Sequence, residues 1–483
     1  MRQLGRSSYA ATVANDGERT MTSSDPTKWP AHVISREIAA HRLSPIDFVA
    51  ALLDRIRNAD PKLHAFVDVY ADDARLAAEA AHYAIQSGDA LGPLHGMPVA
   101  LKDVVEIAGK TTAAGSLAWQ SRRSARTATL ANRLISRGLI VLGKTHTTEF
   151  ALGAWGVNQR MGTPRNPWDR DVHRAPGGSS SGSAIAVAAR MVPWAVGTDT
   201  GGSVRIPAAW CGLTGLKTTK GAVSTHGILS PSGTLDTPGP LTRCVEDAAL
   251  LFYAMQGGDS LDPHTDDPSP GNPLGTLKRG VAGMRLGRVG RAALAGTSAE
   301  IATNYEVSLD LFRKLGATII PIAWPDYRDY RGAISTMILA EAHASYGALA
   351  MDPSTPLDEF TRAELCTASR ISATDYRVAL DEQWKLQHDF AAVFDDVDAL
   401  LTPTVRMVAP SLDEIDRREP PTNFTRVVNF AQLCAISVPN GFAANDLPTS
   451  LQVICPPHSE STALRIGWAH ENATDWHLRM PPI

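Results

Sequence analysis

Cysteine is scarce in this chain of 483 residues: there are five, Cys211, Cys244, Cys366, Cys434 and Cys455, far apart and with no CxxC pair. That excludes a disulfide scaffold and points to reduced, buried thiols, hence to a cytoplasmic protein. The 14 histidines form no HxH, HExxH or Cys/His cluster, so neither a metal nor a cofactor is expected. Neither charge sign dominates: 46 Lys and Arg stand against 50 Asp and Glu, a formal charge of −4. The basic footprint of a nucleic-acid or membrane-surface protein is therefore missing. No apolar run approaches the roughly 18 residues of a membrane-spanning helix. With 44% apolar and 20% charged residues the chain is also not disordered, collagenous or coiled-coil. These absences point to no nucleic acid and no membrane; a small-molecule substrate and a monomer or homodimer are the further expectations.

The first 30 residues carry basic side chains but no apolar leader core, and are expected to be a flexible tail, with Met21 as a second possible start. Beyond them, Ser44-Pro45 has the form of a helix start, with Ile46, Phe48, Val49, Leu52, Leu53 and Ile56 on one face. A second helix is expected from Ala71, a strand at Met97 to Leu101, a helix from Thr127 to Gly138 with Leu130, Leu134 and Ile135 inward, and a strand at Leu139 to Leu142. Residues 256–285 are rich in Gly, Pro and Asp and read as a connection, 300–400 return to helical periodicity, and the tail gives strands at 435–438 and 451–454 and a helix from Thr462. Length suggests about three domains at roughly 150 residues each, yet no linker divides the chain. The pattern predicts one α/β domain over residues 31–483, a single large mixed sheet covered by helices on both faces, with a core at about 92–250 and a variable stretch at about 256–400.

Much of the glycine sits in two loops. The first runs Pro176-Gly177-Gly178-Ser179-Ser180-Ser181-Gly182-Ser183-Ala184; the second runs Gly197-Thr198-Asp199-Thr200-Gly201-Gly202-Ser203-Val204-Arg205-Ile206-Pro207. A flexible linker does not fit loops pressed between apolar segments. A phosphate loop needs Gly-Lys-Ser/Thr where the first loop has Gly182-Ser183-Ala184. The GxSxG elbow fails because Arg205 occupies its last position. What remains is a structural turn or a chemical role: glycine lets backbone N–H groups crowd a ligand, and such donors around Ser203 would suit an oxyanion. Neither loop contains a histidine, and none is placed suggestively to act as base. Lys102, after the apolar run Pro98 to Leu101, is the alternative, since a desolvated lysine gives up its proton more readily.

Together these motifs resemble the amidase signature family. The first loop matches its GGSS[GS]GSA motif, the second its GTDxGGSxRxP motif, and Gly96-Met97-Pro98-Val99-Ala100-Leu101-Lys102-Asp103 its lysine-bearing strand. Thr163 to Trp168, Cys211 to Lys217 and Gly239 to Arg243 extend the likeness, which runs from about residue 32 to the end and is weakest between 256 and 400. The resemblance implies Ser203 as nucleophile, Ser179 after a cis peptide bond as the middle of a Ser-Ser-Lys triad, and Lys102 as base. It implies N–H groups of Thr200, Gly201, Gly202 and Ser203 as the oxyanion hole, with Ser180, Asp199 and Arg205 as polar support.

Within the family the resemblance implies a hydrolase of amide C–N bonds. Phe150, Trp155, Tyr327, Tyr330, Met337 and Ile338 are candidate pocket residues, alternatively plain core, and as a pocket they would favour an apolar or aryl amide. A carbamate (urethane) or ester hydrolase needs the same triad. The A chain of the amidotransferases that act on glutamine for tRNA amidation is a further alternative, but it carries an acid shortly before the stretch matching Val428 to Leu433, where this chain has Thr422-Asn423-Phe424-Thr425-Arg426. A non-catalytic scaffold is the reading from another class.

Overall fold

The computed structural model describes residues 25–265, 271–325 and 327–483. Among them, eleven strands form one sheet: β1 (Phe66–Val69), β2 (Pro98–Lys102), β3 (Ile140–Thr145), β4 (Trp194–Asp199), β5 (Thr214–Lys217), β6 (Thr237–Thr242), β7 (Arg285–Val289), β8 (Thr318–Ile322), β9 (Ala399–Pro403), β10 (Cys434–Phe442) and β11 (Pro448–Cys455). Their spatial order is β1-β3-β2-β4-β6-β5-β10-β11-β9-β7-β8. The sheet is mixed: β2 runs parallel to β3 and β4, whereas β4 and β6 are antiparallel. In β2, β4, β5, β6, β9 and β11 every residue is buried. Successive side chains point to opposite faces, so both faces of this central sheet are covered. The edge strand β8 has no fully buried residue and carries Pro321, which blunts it against further pairing.

The covering helices are α1 (Ala31–Ala39), α2 (Pro45–Leu63), α3 (Ala71–Gln86), α4 (Thr129–Ser136), α5 (Ser181–Ala188), α6 (Arg205–Cys211), α7 (Val245–Met255), α8 (Ala299–Lys314), α9 (Tyr327–Met351), α10 (Glu359–Ala368), α11 (Ala373–Phe394), α12 (Arg426–Phe430) and α13 (Glu460–Asn472). The Ser44 hydroxyl accepts from Ile46 N–H (3.2 Å), and Phe48, Val49, Leu52, Leu53 and Ile56 are buried, as the pattern of α2 predicts. In α4 the expected inward set is corrected at one position: Leu130 and Leu134 are buried, but Ile135 is exposed, because it falls beside rather than on the apolar stripe of a helix of only eight residues. The expected tail lies mainly outside the described residues. Its last part is ordered: Asp25 caps a 3₁₀ turn over Pro26–Lys28, and Arg243 donates to the Thr27 carbonyl (3.0 Å). Among the described residues no helix is long and apolar enough to cross a membrane.

One apolar cluster runs from Ala31 to Ala469 through the sheet. The parallel strands β2 and β4 end side by side, and open α/β sheets gather their chemistry at such carboxyl ends. Lys102 ends one strand and Asp199 the other. Leu101, fully buried between them, is expected to lose about 2–5 kcal/mol of stability on replacement by alanine; a lowered urea midpoint at unchanged slope is the measurement.

Candidate catalytic site

Lys102 is fully buried at the end of β2; its Nζ lies 2.7 Å from Ser179 Oγ and donates to Thr198 Oγ1 at 2.8 Å. Among the described residues no carboxylate pairs with it. Burial pulls its amine down to about 7, against the opposing pull of the Asp236 and Asp199 charges. Lys144, the next buried lysine, is placed differently, since it pairs with Asp103 at 3.1 Å. Burial pulls both amines down, but among the described residues Lys144 has a carboxylate beside it and Lys102 does not.

The first loop brings Ser179 to this amine. The Gly178–Ser179 peptide bond is cis. Ser180 then stitches the two loops together: its N–H donates to the Ser203 carbonyl (3.2 Å), its hydroxyl donates to the Thr198 carbonyl (3.2 Å), and Thr198 N–H donates back to that hydroxyl (3.3 Å). Ser179 is fully buried, and Ser203 retains 7% exposure. Ser203 alone of the three thus keeps some exposure, while Ser179 and Lys102 are equally buried behind it.

Asp199 and Arg205 shape the second loop. The Asp199 carboxylate accepts from the N–H groups of Gly202 (2.7 Å) and Val204 (3.1 Å), from Arg205 Nε (3.0 Å) and Nη2 (2.9 Å), and from Asn429 Nδ2 (2.9 Å). Burial acts to raise its carboxyl, but Arg205, Lys217 and Asn429 hold it well below the usual carboxylate range. Arg205 also donates to Gln452 Oε1 (2.6 Å), the Thr425 carbonyl (3.1 Å) and Asn429 Oδ1 (2.6 Å). Of the four N–H groups expected to meet an oxyanion, that of Gly202 is thus taken up by the Asp199 carboxylate. Gly201 has no alternative: a Cβ there would come within 2.8 Å of Arg426 Cγ, and the half-buried Arg426 lies across the loop at the start of α12.

The expected pocket residues scatter. Phe150 is fully buried, stacked on Tyr346 (ring centroids 4.4 Å apart) and edge-on to Trp119 (5.2 Å), in a segment where Phe150 and Ala151 both take positive φ (51° and 57°). Trp155 instead stacks on Trp210 (5.6 Å) in a small satellite core and donates to the Asp416 carbonyl (3.1 Å). Tyr330, Met337 and Ile338 pack into the main core from α9. Tyr327 opens α9, and its side chain lies outside the described residues. Sequence reasoning passed over Thr198, Trp119, Ser230, Tyr346, Asn429 and Asp236. Three of them had a signal: Thr198 lies in the second loop motif, Asn429 in the matched stretch Val428 to Leu433, and Asp236 three residues before the matched Gly239-Pro240; Trp119, Ser230 and Tyr346 come from segments with no matched motif. One His-Cys-Asp group exists among the described residues, His32, Cys244 and Asp247, but Asp247 accepts from the N–H groups of Ala31 and His32 and from His32 Nδ1, and so serves as a helix-start cap.

A sequence model of the family described as Amidase matches residues 47–464. The A chain of the glutamyl-tRNA(Gln) amidotransferase of Trichlorobacter lovleyi is 34% identical over 481 residues, covering 93% of this chain and 98% of that protein. Among solved structures, the peptide amidase of Stenotrophomonas maltophilia superposes with a TM-score of 0.86 at 30% identity, covering 94% of this chain and 98% of that one. A bacterial aryl acylamidase gives 0.85 at 26% identity, covering 94% and 98%. These findings overturn one expectation. A small-molecule substrate without nucleic acid, in a monomer or homodimer, does not stand beside full-length relatives named as one component of an enzyme of glutamyl-tRNA(Gln). The net charge that carried it averages over the whole surface, whereas docking another chain or a nucleic acid needs only a local face.

Two outcomes follow from the geometry. The rate at which a fluorophosphonate labels Ser203 should rise with pH through an inflection near 7, as Lys102 loses its proton; a rate flat across that range counts against Lys102 as base. Asp199→Asn leaves the Arg205 guanidinium buried and uncompensated, and should cost about 3–5 kcal/mol in denaturant unfolding.

Proposed function

We propose, because the chain belongs to the amidase signature family, that it cleaves carboxamide C–N bonds through an acyl-enzyme on Ser203. Neutral Lys102 takes the proton of Ser179 as Ser179 takes that of Ser203. Ser203 Oγ bonds to the carbonyl carbon, and the charge moving onto the carbonyl oxygen is met by the N–H groups of Thr200, Gly201 and Ser203. The C–N bond breaks as the proton returns through Ser179 to the leaving nitrogen, and water then releases the acyl group by the same route. The observation that carries this reading is the fully buried Lys102 amine, 2.7 Å from Ser179 Oγ and with no carboxylate partner among the described residues. Ser180, Asp199 and Arg205 act by holding the two loops in register.

For the amide donor, the full-length likeness to the A chains of glutamyl-tRNA(Gln) amidotransferases supports the side-chain carboxamide of glutamine, with the released ammonia passed on within an assembly. A second reading, an independent amidase acting on an apolar or aryl amide or carbamate, has its own support. The aromatic group of Trp119, Phe150 and Tyr346 stands beside the catalytic segment, the stretch Thr422 to Arg426 has no acid, and a peptide amidase and an aryl acylamidase are structural neighbours.

A hydrolysis panel of glutamine, hexanamide, acetanilide and an aryl carbamate tests both readings. Glutamine should release ammonia, and Ser203→Ala should abolish release at an unchanged melting temperature. Turnover of the anilide or carbamate without glutamine establishes the second reading; wild-type turnover by Ser203→Ala sinks both.

A further inference from the structure

Among the described residues, Asp236 is the one buried carboxylate facing the site that the chemistry above leaves unused. It is 1% exposed, sits directly before β6, and accepts hydrogen bonds from the hydroxyls of Thr200 and Ser230. It has no ion-pair partner among those residues; Lys220 Nζ reaches only its main-chain carbonyl (3.3 Å). β6 pairs with β4 so that Thr237 lies opposite Asp199, which sets Asp236 against Thr200, the first residue of the loop that carries Ser203.

Its other side is held by the helical layer. Glu341 of α9 accepts from Ser232 Oγ (2.8 Å), from Thr234 N–H (3.0 Å) and Oγ1 (2.6 Å), and from the Tyr376 hydroxyl of α11 (2.6 Å). Tyr346 of α9 donates to the Ser230 carbonyl (3.0 Å). Asp236 is thus fixed from two layers, and its carboxylate reaches the loop that carries Ser203 through the Thr200 hydroxyl.

We infer that Asp236 is a positioning residue for this site: it orients Thr200 at the start of the loop that carries Ser203. The inference rests on the acyl-enzyme reading of Ser203. The charged and titratable groups facing the pair are Lys102 from β2, Asp199 from β4 with Arg205 of α6 and Lys217 of β5 behind it, Lys220 after β5, and Tyr346 and Glu341 from α9. Burial pushes the Asp236 carboxyl up, while the Ser230 and Thr200 hydroxyls, Lys220 and Lys102 act to keep it ionised. An ionised Asp236 favours the ammonium form of Lys102, so removing that charge should make the neutral base available at lower pH.

The test is the pH dependence of fluorophosphonate labelling at Ser203, which requires no knowledge of the substrate. In Asp236→Asn the acid inflection should move down by about one pH unit, a tenfold change in the proton concentration at half-maximal rate. A residue of purely structural importance would lower the rate and leave the inflection in place, and that result overturns the inference. Thr200→Val, which keeps the carboxylate and removes one hydroxyl partner, should lower the plateau rate by about tenfold at unchanged circular dichroism; an unchanged plateau overturns the inference even if Asp236→Asn does not fold. Wild-type protein whose Ser203 is not labelled at any pH overturns the acyl-enzyme reading itself, and this inference with it.

Discussion

The site depends on one electrostatic condition: a lysine amine placed where water cannot reach it and where, among the described residues, no carboxylate pairs with it. Charging Lys102 in that position means taking an ammonium out of water, so the neutral form becomes accessible near physiological pH. The surrounding sheet makes the condition possible. A strand buried along its whole length, flanked by two parallel neighbours, delivers the side chain of Lys102 into the interior instead of to a wet edge. The same dry surroundings strengthen every dipole aimed at a developing charge.

A second buried charge solves a different problem. Asp199 and Arg205 compensate one another at 2.9 Å and spend their remaining hydrogen bonds on main chain and amide side chains. Through Asn429, Thr425 and Gln452 that pair ties the loop after β4 to α12 and β11, more than 200 residues further along the chain. The pair is a device of shape: it folds the glycine-rich loop around a carboxylate that takes up the N–H groups of Gly202 and Val204. Breaking half of it would leave the other half stranded, which is why such a pair acts as a unit.

The chemistry of the centre and the choice of substrate are carried by different parts of the molecule. The triad and both loops lie on strand ends and helix starts of the sheet, and the chain as a whole is similar to amidotransferase components and to free-standing amidases alike. The helices α9 to α12 and the loops between them lie over that centre, here through Arg426 on Gly201 and Tyr346 on Phe150. Helices packed on a common core can change without moving the reacting atoms, so such a fold can hold a reaction constant while its specificity varies.

The sequence by itself determined the α/β class, the start of α2 at Ser44-Pro45 and the buried strands β2 and β10, because period and capping leave local marks; it also marked Lys102, Ser179 and Ser203 as candidates, of which the structure sets Lys102 Nζ 2.7 Å from Ser179 Oγ. The sequence did not reveal that Gly202 N–H is turned to Asp199, that Trp155 belongs to a satellite core, or that Asp236 stands against Thr200. It also misjudged partners, because a whole-chain charge contains no information about where charge lies. Those features of the site were decided only by the tertiary structure: they depend on strand order, which sets β6 beside β4 and β10 beside β5 across long stretches of chain. The lowered pKa of Lys102 is of the same kind. Its residue type and motif are written in the sequence, but the desolvation that pulls its amine down exists only once both faces of the sheet are covered.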